Sequence, residues 1–162
     1  IGRVFPKAWG ITKMHDLLDL LVKDGNQVVL IGGSQEIPLL EELNEFLELP
    51  QVVNLVGKCS IKQSMAAIKR CSCSIGIDTG MQHIAGALSV PTISIFGPTN
   101  PKYIGAFSDC SYFVEYETDC KYCFGTNQYV HCNHRRCLTE IRPQQVIDMV
   151  YQVLEKANYK KV

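Results

Sequence analysis

Short runs of apolar, β-branched residues alternate along this chain with longer stretches of helical periodicity. The short runs predict strands at 27–31, 52–55, 74–77 and 90–96, with a further edge strand at 111–115. The periodic stretches predict helices at 11–25, 38–49, 60–70, 81–88 and about 143–157. Strands and helices that alternate in this way form parallel sheets covered by helices. The sequence therefore predicts an α/β fold, a Rossmann-like parallel sheet with helices on both faces. Residues 1–6 are predicted to contain at most one further short strand.

The size and charge of the chain exclude several classes of protein. Its 162 residues fit a single domain, and a hydrophobic fraction of 46% is enough for a sizeable core. The 16 basic and 16 acidic residues give a net charge of zero, which argues against a nucleic-acid partner. No apolar run approaches the ~20 residues that cross a bilayer, and no signal peptide is recognisable. A cytoplasmic protein is expected.

The turn Asp78-Thr79-Gly80 follows the predicted strand 74–77 and begins the next helix. Ligands of open parallel sheets sit beyond the carboxyl ends of the strands. Backbone N–H groups of a first helical turn lack helical partners, so those of Thr79 and Gly80 can bind a phosphate. Gly80 permits close approach of a ligand, and His83 lies one turn further on the same face. Alternatively, Asp78 only caps the helix and His83 is a partly buried structural histidine.

A second polar loop follows the predicted strand 90–96 at the same edge of the sheet. It begins with Gly97-Pro98, which ends the strand, and continues with Thr99 and Asn100. Both polar side chains can bond phosphate or sugar hydroxyls. Alternatively, these residues only form a plain turn, and for Asn100 this interpretation is at least as well supported as ligand binding.

The two loops together carry a resemblance to a known family. The pattern D-T-G-x-x-H-x-A-x-A-x-x-x-P runs from Asp78 to Pro91, and F-G-P-T-x-P runs from Phe96 to Pro101. This pattern resembles the signature of the heptosyltransferases of glycosyltransferase family 9. The resemblance implies a GT-B fold, in which two Rossmann-like domains face each other across a cleft. Residues 1–162 are then expected to be its C-terminal, nucleotide-sugar-binding domain.

The resemblance also implies roles for two residues outside these loops. Lys7, in Lys7-Ala8-Trp9, would reach the phosphates of the sugar nucleotide; otherwise it is a solvated surface lysine. Glu36, after Gly32 and Gly33, would accept hydrogen bonds from the ribose hydroxyls; otherwise it only favours the start of the next helix. Trp9 itself is expected to be a packing residue.

The implied reaction is the transfer of heptose from ADP-heptose to the lipopolysaccharide core, with inversion at the anomeric carbon. Thr79, Gly80 and Lys7 would neutralise the pyrophosphate, Asp78 would orient the donor sugar or the turn, and His83 would support either. No catalytic residue is assigned to this chain, because the general base and the acceptor contacts are expected from an N-terminal domain. No cofactor is required. Peripheral attachment to the inner membrane is a further expectation for the full-length protein.

Four cysteines cluster near the carboxyl end, in a predicted Cys-rich loop at 119–138. Cys120, Cys123, Cys132 and Cys137 follow the pattern C-x2-C-x8-C-x4-C. The first pair is spaced like half of a structural zinc site, whereas the second pair is not. Two disulfides are the second interpretation, although a reducing cytoplasm disfavours them. Reduced thiols are the third.

Other functional classes are kept as alternatives. A Rossmann-type oxidoreductase is disfavoured, because no G-x-G-x-x-G follows an early strand. A non-catalytic zinc or nucleotide-binding module would be centred on the cysteine segment. Within the family, the donor could carry another sugar or base.

Overall fold

The computed structural model describes residues 8–159, with side chains described through Lys156. The short strand expected within residues 1–6 and the predicted phosphate ligand Lys7 therefore lie outside the described residues.

The strands form parallel sheets, as predicted. Strand β1 (Val28–Leu30) pairs in parallel with β2 (Val52–Asn54). Strands β3 (Ser74–Ile77), β4 (Thr92–Ile95) and β5 (Ser111–Val114) form a second parallel sheet in that order. Register places Ile77 beside Ile95 and Ile95 beside Val114. The carboxyl ends of β3 and β4 therefore lie side by side, which brings the two predicted ligand loops together.

The helices lie in the predicted order along the chain, with additional short helices between them. The chain forms α1 (Ile11–Lys23), α2 (Asn44–Leu47), α3 (Ile61–Ile68), α4 (Gly80–Ala87), α5 (Pro101–Ile104), α6 (Asn127–Val130), α7 (Arg136–Thr139) and α8 (Pro143–Tyr159). Helix α3 begins at a capping box: the Ser60 N–H donates to Gln63 Oε1 (2.9 Å) and the Gln63 N–H donates to Ser60 Oγ (3.4 Å). No helix of residues 8–159 has the length and apolarity to span a bilayer.

The predicted helix at 38–49 needs correction. The structure has a 3-10 helix over Ser34–Leu43, and only the four residues of α2 continue it as an α-helix. Pro38 lies inside this segment and has no backbone N–H to donate to a preceding carbonyl.

The predicted loop at 97–107 also needs correction, because it contains α5. Asn100 is the N-cap of this helix and accepts a hydrogen bond from the Lys102 N–H (3.0 Å).

Helices cover both faces of the three-stranded sheet. Ile93 and Ile95 of β4 face a core that includes Leu17 of α1 and Ile147 of α8. Alternate β4 residues point the other way, and Ser94 Oγ donates to Gln82 Oε1 of α4 (3.4 Å). A second apolar cluster joins α1 to β1, β2 and α2.

Candidate functional site

The first turn of α4 projects from the carboxyl end of β3, where a phosphate site is predicted. Thr79 is its N-cap in an extended conformation and makes no side-chain capping bond. Gly80 is exposed, and a Cβ built on it would meet nothing within 4 Å. Asp78 does not occupy the N-cap position, so the alternative of a simple cap does not describe it. The arrangement leaves room for a ligand directly against the main chain.

Asp78 and Thr99 connect the two ligand loops. The Thr99 hydroxyl donates to Asp78 Oδ2 (3.2 Å), and Thr99 is only 4% exposed. A phosphate or sugar contact by Thr99 stays a prediction, but the hydroxyl proton is directed at Asp78. Thr99 therefore fixes the carboxylate at the sheet edge.

The remaining predicted ligands are placed as follows. His83 is exposed on α4, one turn beyond Gly80, and is not the partly buried histidine of the alternative. Glu36 is half-buried, and its Oε2 accepts a hydrogen bond from the Gly33 N–H (2.8 Å). That bond organises the start of the 3-10 helix, while the ribose contact stays a prediction.

A buried glutamine that the sequence analysis missed holds α4 on the sheet. Gln82 is 4% exposed; its Nε2 donates to Ser74 Oγ of β3 (3.2 Å), and its Oε1 accepts from Ser94 of β4. A Cβ on Gly76 would lie 2.4 Å from Gln82 Nε2, so any larger residue there would displace the Gln82 amide from its present position. A glycine in the middle of an apolar strand is the signal that could have indicated this close approach.

Residues around the start of α1 contact α7 and the residues that follow it. Trp9 is buried, as expected for a packing residue, and its Nε1 donates to the carbonyl of Ile141 (3.0 Å). Lys13 Nζ donates to the carbonyls of Leu138, Thr139 and Ile141. Burial lowers the pKa of Lys13, and the nearby Glu140 opposes that effect.

The four clustered cysteines are free thiols, as is every cysteine of the chain. A small cavity behind Pro98 is lined by Cys123, Cys132 and Cys137. Burial, with a smaller contribution from the other three thiols, raises the pKa of Cys137 to about 11. Among residues 8–159, no three histidine, cysteine, aspartate or glutamate side chains are arranged to hold a metal ion. The thiols as placed do not form a zinc site; zinc binding stays one of the three interpretations, and metal analysis of the purified protein would decide among them.

A parallel sheet with an open helix N-terminus and polar loops at one edge defines a Rossmann-like α/β domain of the kind found in GT-B proteins. The chain belongs to glycosyltransferase family 9 (heptosyltransferase), whose sequence model matches residues 4–134. Lipooligosaccharide heptosyltransferase 2 of Haemophilus influenzae is 34% identical over 106 residues, 64% of this chain and 31% of that protein. Lipopolysaccharide heptosyltransferase 2 of Salmonella typhimurium is 25% identical over 93% of this chain and 43% of its own length.

A solved structure agrees with the fold. The structure of E. coli ADP-heptose LPS heptosyltransferase II superposes with a TM-score of 0.75 at 24% identity, covering 94% of this chain and 43% of that one. The chain thus spans less than half the length of these relatives.

Proposed function

We propose that this chain is the donor-binding half of an inverting glycosyltransferase, which transfers heptose from ADP-heptose to the lipopolysaccharide core. The observation that carries the proposal is the open first turn of α4, where Thr79 adds no capping side chain and Gly80 leaves space above the backbone. Membership of the heptosyltransferase family supports the type of transfer. The description of the E. coli neighbour as an ADP-heptose enzyme supports the donor.

Main-chain amides would bind the donor diphosphate. The N–H groups of Thr79 and Gly80 lie at the positive end of α4, where negative charge is stabilised. Charge builds on the diphosphate as its bond to the sugar breaks, so fixed donors there lower the barrier. Lys7 would add a positive charge without a metal ion. No cofactor is part of this proposal.

Side chains around that turn would orient the donor. The bond from Thr99 holds the Asp78 carboxylate at the junction of β3 and β4, where it would orient the donor sugar or the turn. His83 is exposed one turn along α4 and would support the phosphate or the turn. Glu36, in the 3-10 helix that follows β1, would accept hydrogen bonds from the ribose hydroxyls while its bond to Gly33 fixes its position.

The other half of the reaction would come from a second domain. The relatives are more than twice as long as the part of them that matches this chain. That domain would supply the general base that deprotonates the acceptor hydroxyl, together with the contacts to the lipopolysaccharide core. We place such an enzyme in the cytoplasm, with its acceptor at the inner membrane.

The Gly80→Ala substitution tests the proposal directly. The added methyl group enters open space, so the thermal midpoint should stay that of the parent chain. The same methyl group would occupy the volume in which a phosphate contacts the amides, and we expect ADP affinity to fall by about tenfold or more. Calorimetric titration with ADP measures this change.

Two further variants and a control complete the experiment. Asp78→Ala and Lys7→Ala should also weaken ADP binding while the domain stays folded. Lys23→Ala should change nothing, because Lys23 is an exposed residue at the end of α1 that pairs with Asp19 and is no part of the proposed site. Unchanged affinity in all three site variants, or no ADP binding by the parent chain, would overturn the proposal.

A further inference from the structure

We propose that Lys13 is a positioning residue for the donor site, acting through α7 and the Gly97–Thr99 loop on Asp78. The inference rests on the proposed function, because it concerns how the same site is held in shape. It is carried by an unbroken series of contacts that begins at Lys13 and ends at the Asp78 carboxylate.

The first contact is a cap on the carboxyl end of α7. A lysine ammonium has three N–H donors, and Lys13 Nζ directs them at three carbonyls: Leu138 (3.2 Å), Ile141 (2.7 Å) and Thr139. Trp9 Nε1 also donates to Ile141 (3.0 Å). Leu138 and Thr139 belong to α7, and carbonyls at the carboxyl end of a helix carry partial negative charge, which a cation stabilises.

Helix α7 depends on this cap because it is too short to be stable alone. It has four residues, Arg136–Thr139, whereas isolated helices need about 12 or more residues to form in water. Arg135, its N-cap, has a left-handed backbone (φ 45°) and makes no side-chain capping bond. The position of α7 is therefore set by tertiary contacts, and those of Lys13 bind its carboxyl end directly.

The second contact runs from α7 to the ligand loop. Leu138 is 2% exposed and packs on Gly97 so closely that a Cβ there would lie 2.5 Å from Leu138 Cγ. From another side, the Phe124 N–H donates to the carbonyl of Pro98 (3.0 Å). Thr99, the next residue, holds Asp78. Displacement of Leu138 would release the loop that fixes the carboxylate.

The test is the ADP affinity of Lys13→Met, which keeps the apolar stem and removes the three donors. We expect a loss of about three- to tenfold, the effect of one well-placed hydrogen-bonded group. Lys13→Arg keeps several donors and should bind ADP within about twofold of the parent chain. Lys23→Met, the same substitution at an exposed position of the same helix, should have no effect.

A double variant separates positioning from general stability. If Lys13 acts through Thr99, Lys13→Met combined with Thr99→Val should lose less affinity than the product of the two single losses. Should Lys13→Met fail to fold, Leu138→Ala interrupts the same series of contacts and is measured instead. The inference is wrong if the variant has a lower thermal midpoint but the parent affinity for ADP. Absence of ADP binding by the parent chain would instead refute the proposed function.

Discussion

Gly97 lies under the side chain of Leu138, and each residue limits what the other can be. A methyl group on Gly97 would lie 2.5 Å from Leu138 Cγ and 2.8 Å from Cδ2, and both residues are buried. We expect Gly97→Ala to lower the free energy of unfolding by about 1–3 kcal/mol, the usual cost of overpacking. Denaturant titration measures that difference.

The compensating variant shows whether the two residues act as a pair. Leu138→Ala removes the clashing atoms, so Gly97→Ala should cost less in the Leu138→Ala background than in the parent chain. Equal costs in the two backgrounds would contradict the packing that the structure shows.

The positions of some site residues could be predicted from the sequence, whereas several of their contacts could not. Asp78, Thr79 and Gly80 could be placed at a sheet edge, because a strand, a turn and a helix follow one another locally. The bond between Thr99 and Asp78 could not be predicted, since it depends on the register of two neighbouring strands. The bond from Trp9 to Ile141 spans 132 positions, beyond any local pattern.

Among the elements, α4 combines a ligand-facing end with a buried polar anchor. Gln82→Leu keeps the approximate size of the side chain but leaves the Ser74 and Ser94 hydroxyls without their glutamine partner. Because buried polar groups without partners are costly, we expect a loss of about 1–3 kcal/mol in the free energy of unfolding. The exposed Gln152→Leu on α8 is the control and should change it by no more than about 0.5 kcal/mol. Similar values for both would rule out the anchoring role.

Long elements were easier to predict than short ones. The helices at 11–25, 60–70, 81–88 and 143–157 each show an apolar stripe, a cap or both, and each agrees with an observed helix within a few residues. Helices α5, α6 and α7 have four residues each, too few for a periodic pattern. The sequence predicts an α-helix where the structure has a 3-10 helix, because the spacing of the leucines is compatible with the periods of both kinds of helix.

At the scale of the whole molecule, the chain has the fold of one half of a two-domain architecture. The prediction of a Rossmann-like sheet with helices on both faces is confirmed, because strands that alternate with helices along the chain pair in parallel. The predicted site residues in the loops after β3 and β4 lie together, whereas Lys7 lies outside the described residues. The proposed binding of the donor diphosphate rests on this edge of the sheet.

The proposed division of the reaction between two domains predicts what the isolated chain cannot do. We expect the isolated chain to bind ADP but to transfer no heptose from ADP-heptose to a lipopolysaccharide acceptor, because the proposed general base belongs to another domain. A radiolabelled-donor assay measures the transfer, with a full-length family member as the positive control. Robust turnover by the isolated chain would mean that a base and an acceptor site lie within it.

The contact between Lys13 and the carbonyls of residues 138–141 joins positions about 125 apart. A ribosome releases Lys13 before residue 141, so Lys13 cannot cap α7 until the whole segment between them has emerged. The five strands found among residues 8–159 all precede residue 115, so they are synthesised before that moment. The proposed donor-binding edge is thus completed only after the strands have been synthesised, and a nascent chain stopped before residue 138 would contain the strands of both sheets without the cap on α7.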